Sequence, residues 1–403
     1  MDAPSGIGER IARHRAHRGL TQEALAHSAG VSIDVVRRLE QGTRRTARLS
    51  TLASLARALD CDVATLLRPD ASEPPRGDGI GLYGIRRVLT APGVLPGFAD
   101  FCDDTADTPD LAALRASAAH VWRLYQDGGY DAVSRLLPDL ITDARNAARE
   151  LAAADQAAAF GMLATACQAS AGVAITLGQE DLAFIAVERA VSAAEQCGDP
   201  LHQASAANFL SWIYRRHGRL AEAEEVAVRA AEQCEPAWLS SSPEQVSVFG
   251  GLLLNAAGAA ARAGRAQRSR DLSATARAAA ARAGRDRVDQ WVVFGPSVAA
   301  MNEVNNAVEY GDLDEARHLA DVVPVQKAGV PATWSARYLL NVAQVQVEQR
   351  RAADAHATLQ QVRALAPEWI RYHPQARTLV IHLLDRKGRP PKGLRELASH
   401  LQI

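Results

Sequence analysis

A glycine followed by an amphipathic helix returns along most of this chain, and no other feature limits its fold so tightly. The unit opens at Gly178 (GQEDLAFIAVERA), Gly218 (GRLAEAEEVAVRAAEQCEP), Gly264 and Gly311 (GDLDEARHLADVVP), with Arg350 in the same role and an earlier variant at Gly128 (GGYDAVSRLL). Glycine lets the chain make a left-handed turn between two helices at little steric cost, so each unit predicts a helix hairpin. Small residues such as Ala223 and Ala230 recur where the two helices must approach. One hairpin leaves an apolar face that only the next can cover, and the units therefore stack into a curved solenoid with a concave side. Aromatic residues make up only 5% of the chain and strand formers seldom run together, so an all-α fold is expected.

The N-terminal part follows a different pattern. In Thr21 to Gly42, TQEALAHSAGVSIDVVRRLEQG, two short helices flank a tight turn at Gly30. Thr21 and Ser32 are placed to cap them. Ala24, Leu25 and Ser28 share one face of the first, and Val35, Val36 and Leu39 form the inward side of the second, leaving Ile33, Asp34, Arg37 and Arg38 outward. Ahead of them Ile7 and Ile11 predict a helix with Arg10, Arg13, Arg15 and Arg18 mostly outward; behind them come helices over Leu49–Leu59 and around Val63–Leu67. The chain carries a formal net charge of −1, yet residues 8–57 hold ten arginines against four acids. A basic segment on a nearly neutral protein is the footprint of phosphate binding.

The pattern T-Q-x-x-L-A-x-x-x-G-V-S with x-x-L-E-x-G resembles the helix-turn-helix of the phage repressor and Cro type, the XRE family, over roughly residues 8–67. The resemblance implies a five-helix head on double-stranded DNA. The second helix of the helix-turn-helix pair would enter the major groove, with Ser32, Ile33, Asp34 and Arg38 approaching bases, Gln22, Arg44 and Arg45 on the backbone, and Arg37 also at the DNA-binding surface. Arg38 is the candidate for a guanine, and Asp34 for a cytosine or for pairing with Arg37 or Arg38. The family commonly has amides at the places of Ile33 and Asp34, so the operator sequence does not follow. Such heads act as homodimers on inverted repeats.

Residues 1–68 thus read as the head, 69–109 as a linker (PDASEPPRGDG) and connecting segment, and 110–403 as the repeats. Successive repeats start 40, 46, 47 and 39 residues apart. They are similar to the tetratricopeptide repeat, a hairpin of ~34 residues, and their greater length predicts extended helices or loops. Gly393 to Leu401 would cap the stack. Bacterial regulators that join such a head to tetratricopeptide repeats include sensors of peptide pheromones.

Aligning the first helices gives ANFLSWIY, LNAAGAAA, MNEVNNAV and LNVAQVQV, which put Asn208, Asn255, Asn302 and Asn341 in one column although the chain has only seven asparagines. In tetratricopeptide superhelices this position faces the groove. An amide carries donor and acceptor together and suits a peptide backbone; alternatively, the column holds the stack together. Arg215, Arg216 and Arg262 lie toward one end, Glu309 and Glu348 toward the other. Trp212 and Asn306 join the column as effector candidates, and the other tryptophans are expected in the core.

The effector expected is a peptide, or else a small molecule; a partner protein docked in the groove is the alternative. No HExxH, P-loop, G-x-S-x-G or Rossmann glycine set occurs, so no enzyme, metal or cofactor is expected. Five cysteines without CxxC spacing suggest reduced thiols. The N-terminus has no apolar signal region and no long uncharged apolar run occurs, so a cytoplasmic protein without a membrane span is expected.

Overall fold

The structure, a computed structural model, describes residues 7–18, 20–43, 47, 49–59, 66, 80–91, 110–237, 240–321, 323, 329–385 and 391–403. Among them are twenty helices and one two-stranded hairpin.

The head contains α1 (Ile7–His17), α2 (Gln22–Ala29), α3 (Ile33–Glu40) and α4 (Leu49–Ala58) around Ile11, Leu25, Val36, Leu39, Leu52 and Leu55. Thr21 caps α2 by accepting from the Ala24 amide at 3.1 Å, and Gly30 ends it at φ +65°. Ser32 precedes α3 with extended backbone, but its hydroxyl makes no cap bond. The buried side of α2 is Leu25, Ala26 and Ala29, while Ala24 is half-buried and Ser28 exposed. The helix packs against both α3 and α4, which turns it toward Ala26. Ile33 is half-buried against this core instead of outward, because an apolar side chain at the start of α3 gains by covering it. Of the fifth helix expected around 63–67, only Leu66 lies within the described residues, and it is buried.

The body begins at α5 (Tyr83–Leu89). Ile85, Val88 and Leu89 pack into the main core, and Arg145 Nη2 donates to the Val88 carbonyl at 2.9 Å. Helix hairpins follow: α6 (Leu111–Gln126) with α7 (Tyr130–Glu150), α8 (Ala153–Thr176) with α9 (Glu180–Cys197), and α10 (Pro200–Arg216) with α11 (Leu220–Gln233). Then come α12 (Pro243–Arg262) with α13 (Ala266–Ala283), the β-hairpin β1 (Arg287–Asp289) and β2 (Val292–Phe294), and α14 (Pro296–Tyr310) with α15 (Leu313–Ala320). The chain closes with α16 (Ala332–Glu348) and α17 (Ala352–Leu365), then α18 (Pro367–Tyr372), α19 (Pro374–Leu384) and α20 (Leu394–His400). Residues 155–176 of α8 are long and apolar enough to cross a membrane, but 78% of the most apolar window is buried inside the body.

Every turn glycine read from the repeats, Gly128, Gly178, Gly218, Gly264 and Gly311, has positive φ, and Arg350 takes the same conformation at φ +63°. A side chain there costs on the order of 1 kcal/mol. Arg350→Gly is therefore expected to stabilise the body by up to about 1 kcal/mol in a denaturant titration, and Gly311→Arg to do the reverse.

The solenoid does not remain an open arch. Its first and last hairpins touch: Thr333 Oγ1 donates to the Gln126 carbonyl at 2.8 Å, and the Asp131 amide donates to Glu368 Oε1 at 2.7 Å. Trp369, 1% exposed, packs over Gly128, where a Cβ would stand 2.9 Å from the tryptophan's own Cβ. One apolar cluster accordingly runs from Ile85 to Ile213 and resumes from Met301 to Leu401. The concave side becomes the wall of a chamber.

Candidate functional site

On the head, Ser32, Asp34 and Arg38 are exposed along the start and outer face of α3. The Arg38 side chain makes no hydrogen bond or ion pair among the described residues. Arg37 donates to Glu23 Oε1 at 3.1 Å rather than pairing with Asp34, which has no such partner among the described residues either. Gln22, expected on the DNA backbone, donates to Glu40 Oε2 at 2.7 Å. Glu40 also takes a two-pronged bond from Arg15, at 2.8 and 2.9 Å.

Arg15 and Arg10 are thus not the outward charges their spacing suggests. Arg10 is buried and donates to the Leu66 carbonyl at 2.8 Å, while Arg15 also reaches the Leu20 carbonyl at 2.9 Å. Both guanidiniums tie helices together, because a fork of donors can satisfy carbonyls and a carboxylate at once. Arg44 and Arg45 lie outside the described residues.

In the body, Asn208, Asn255, Asn302 and Asn341 line one cavity of about 210 Å³, together with Trp212, Arg215, Arg262 and Asn306. All eight residues expected at an effector site are therefore brought together. Their amides are partly engaged with one another. Asn255 Nδ2 donates to Asn208 Oδ1 at 2.6 Å and to its carbonyl at 3.1 Å, and Asn341 Nδ2 donates to Asn305 Oδ1 at 2.6 Å. Asn306 bridges Ser273 at 3.3 Å and Asn302 at 3.1 Å, and Gln375 donates to Asn341 Oδ1 at 2.9 Å. Among the described residues, Asn255 Oδ1 and the Nδ2 groups of Asn208 and Asn302 make no hydrogen bond, so the column both ties the stack and presents polar atoms to the chamber.

The charges do not segregate as expected. Glu309 shares the chamber with Arg215, Arg216 and Arg262, whereas Glu348 lines a separate surface cleft beside Arg270 and Tyr310. Arg337 joins the cluster, its guanidinium 5.8 Å from the Trp212 ring centroid. Sequence reading missed Arg337, although it lies one helical turn before Asn341 and hence on the same face.

The β-hairpin forms part of the chamber wall. Gln290 (φ +45°) and Trp291 (φ +66°) make its two-residue turn, a conformation that glycine or asparagine adopts more readily. Three contacts hold it: Ser205 Oγ donates to the Gln290 carbonyl at 2.6 Å, Trp291 Nε1 donates to Thr165 Oγ1 at 2.7 Å, and the Trp291 indole meets Trp122 edge-on with centroids 5.3 Å apart. This hairpin is an exception to the all-α expectation, and the run VDQWVVF is its only sequence signal. Trp122 and Trp369 are core as expected; Trp291 and Trp334 are only half-buried and face the chamber, and Trp238 lies outside the described residues.

Three buried nitrogens at this site, Trp122 Nε1, Gln126 Nε2 and His373 Nδ1, have no hydrogen-bond partner among the described residues. Burial, and then Arg216 and Arg337, hold His373 well below the usual histidine range. The unfolded chain takes a proton near pH 6.5 and the folded chain resists it, so protons favour unfolding below that pH. Stability is expected to drop by up to about 1.4 kcal/mol per pH unit below 6.5. Burial raises Glu303 and Glu368 and opposes this trend at lower pH. Thermal melts of the wild type and His373→Gln from neutral pH to pH 5 isolate the histidine contribution, which the variant lacks.

Residues 11–66 match the family model described as helix-turn-helix. The head is such a module, as the pattern around Thr21–Gly42 implies. No curated protein sequence matches the chain. Among solved structures, the chain is similar to PlcR of Bacillus thuringiensis, crystallised with the peptide PapR7 and DNA. That match has 14% identity and a TM-score of 0.36, and covers 78% of this chain and 94% of that one.

Proposed function

We propose that this chain is a sequence-specific transcription regulator: its head reads double-stranded DNA as a homodimer on an inverted repeat, and its body binds an effector in the chamber. The observation that carries the effector reading is the convergence of Asn208, Asn255, Asn302 and Asn341 with Trp212, Arg215 and Arg262 on one cavity, where some of the amide atoms make no hydrogen bond among the described residues. The helix-turn-helix match over residues 11–66 and the exposed Arg38 support the DNA reading. A space of about 210 Å³ suits a small molecule or the end of a short peptide, and a folded partner docked inside is correspondingly disfavoured. An effector that prefers the closed ring shifts the population toward it and thereby biases the head.

Arg38→Ala is expected to cost about 1–3 kcal/mol on the operator, a loss of roughly 5- to 150-fold, with little change on random duplex. Selection of binding sites from random DNA supplies the operator, and gel-shift titration reads the loss. Equal losses on both duplexes would assign Arg38 to phosphate contact. If no duplex is selected at all, the regulator reading fails.

A further inference from the structure

Four arginines gather on the chamber wall. Arg215, Arg216, Arg262 and Arg337 line it against one carboxylate, the exposed Glu309. Like charges gathered in a partly desolvated space repel strongly and call for a counter-charge. Arg215 shows the strain most clearly: enclosure by protein, then Arg337 and Arg262, lower its pKa to about 9, with Glu309 opposing. Its guanidinium makes no hydrogen bond or ion pair among the described residues.

A second observation is independent of charge. The rings of Trp122, Phe209, Trp212 and Trp291 line the same chamber, with the Trp122 and Phe209 centroids 5.5 Å apart. A dry cavity of roughly 150 Å³ takes a benzene, so about 210 Å³ has room for one ring and a small head group.

We propose that the chamber is a site for a compact organic acid, one carboxylate joined to an aromatic or apolar body, with Arg215 and Arg337 holding the anion and the tryptophans receiving the body. The acid is either a free aryl-alkanoic acid or the C-terminal carboxylate of a short peptide ending in an aromatic residue. This rests on the effector reading of the chamber and names the chemistry of what it accepts.

The test is calorimetric titration of the full chain with two matched pairs, 3-phenylpropionate against 3-phenylpropionamide and Gly-Gly-Phe against its C-terminal amide. Each acid is expected to bind at least about tenfold more tightly than its amide, the usual worth of a charge-assisted bond. Arg215→Met and Arg337→Met are each expected to bring the acid-to-amide ratio close to one while the exposed Arg229→Met leaves it unchanged. Because each chamber variant removes one of several crowded cations, its melting temperature should not fall below wild type, and the second variant stands if the first does not fold. Tighter binding of the tripeptide assigns the site to a peptide end; tighter binding of phenylpropionate assigns it to a free acid. Equal affinities within both pairs, no heat from either acid at millimolar concentration, or a ratio untouched in both variants overturns the proposal. Acids that bind yet leave operator binding unchanged overturn the regulatory reading alone. A neutral effector that shifts operator binding while the acids give no heat overturns this inference alone.

Discussion

Trp369→Ala is expected to lower the stability of the body by about 3–5 kcal/mol, the range for deleting a fully buried tryptophan. The effect should not be confined to α18. Trp369 is 1% exposed, packs at a tilt against His373 with centroids 4.5 Å apart, and lies over Gly128 in the first hairpin. It therefore fills the seam where the two ends of the solenoid meet. The polar bonds at that seam, from Thr333 to Gln126 and from the Asp131 amide to Glu368, each contribute only about 1 kcal/mol. Without the indole they are too few to hold the ring closed. Hydrogen exchange should then accelerate in 122–131 and 332–340, at both sides of the seam, while α12 and α13 keep their protection. Uniform acceleration across the body would instead mean that Trp369 supports one cooperative core and no separable seam.

The features legible in sequence are those with a local chemical cause. A left-handed turn demands glycine whatever surrounds it, so Gly128, Gly178, Gly218, Gly264 and Gly311 mark the hairpins, and the one arginine in that place, Arg350, still turns. Asparagine is scarce in this chain, so four in a constant register stand out, and a constant register on stacked hairpins is a constant direction. Seven residues beyond each of them come Arg215, Arg262, Glu309 and Glu348, two turns along the same face. The first three reach the chamber, whereas the last lines the separate surface cleft.

Ring closure leaves no local trace. Its contacts join residues 207 and 237 positions apart, and nothing in the spacing of one repeat states how far the stack curls. Charge counting fails for a related reason. Arg10 and Arg15 add to a basic segment in composition, but in the fold each is occupied by a carbonyl or by Glu40. The number of arginines in 8–57 therefore overstates the charge that the head can offer to phosphates. The β-hairpin is three residues per strand, too short for a period to show, and its place depends on a distant partner surface.

That partner surface is α12, and it sets the second large expectation: Gly250→Leu should unseat the hairpin. A Cβ on Gly250 would stand 2.0 Å from the Phe294 ring, and one on Gly251 would stand 2.3 Å from Val292. Two adjacent glycines thus open a shallow seat in an otherwise alanine- and leucine-rich helix, and alternate residues of β2 lie in it. Phe294 is fully buried there, so its expulsion forfeits about 3 kcal/mol of burial, and the helix itself cannot yield because Leu252 and Ala256 are buried beside it. The turn at Gln290 and Trp291 is held only by contacts that require the strands to be seated, so its unfavourable dihedrals should relax once they leave. Trp291 then loses Thr165 and Trp122 and meets water. Fluorescence should move to the red in Gly250→Leu, and the shift should vanish when Trp291→Phe is added. Operator binding by the head should persist, since α1–α4 have their own core, whereas any effector response should be lost with the chamber wall. If the double variant keeps the red shift, another tryptophan reports it and the hairpin has stayed in place.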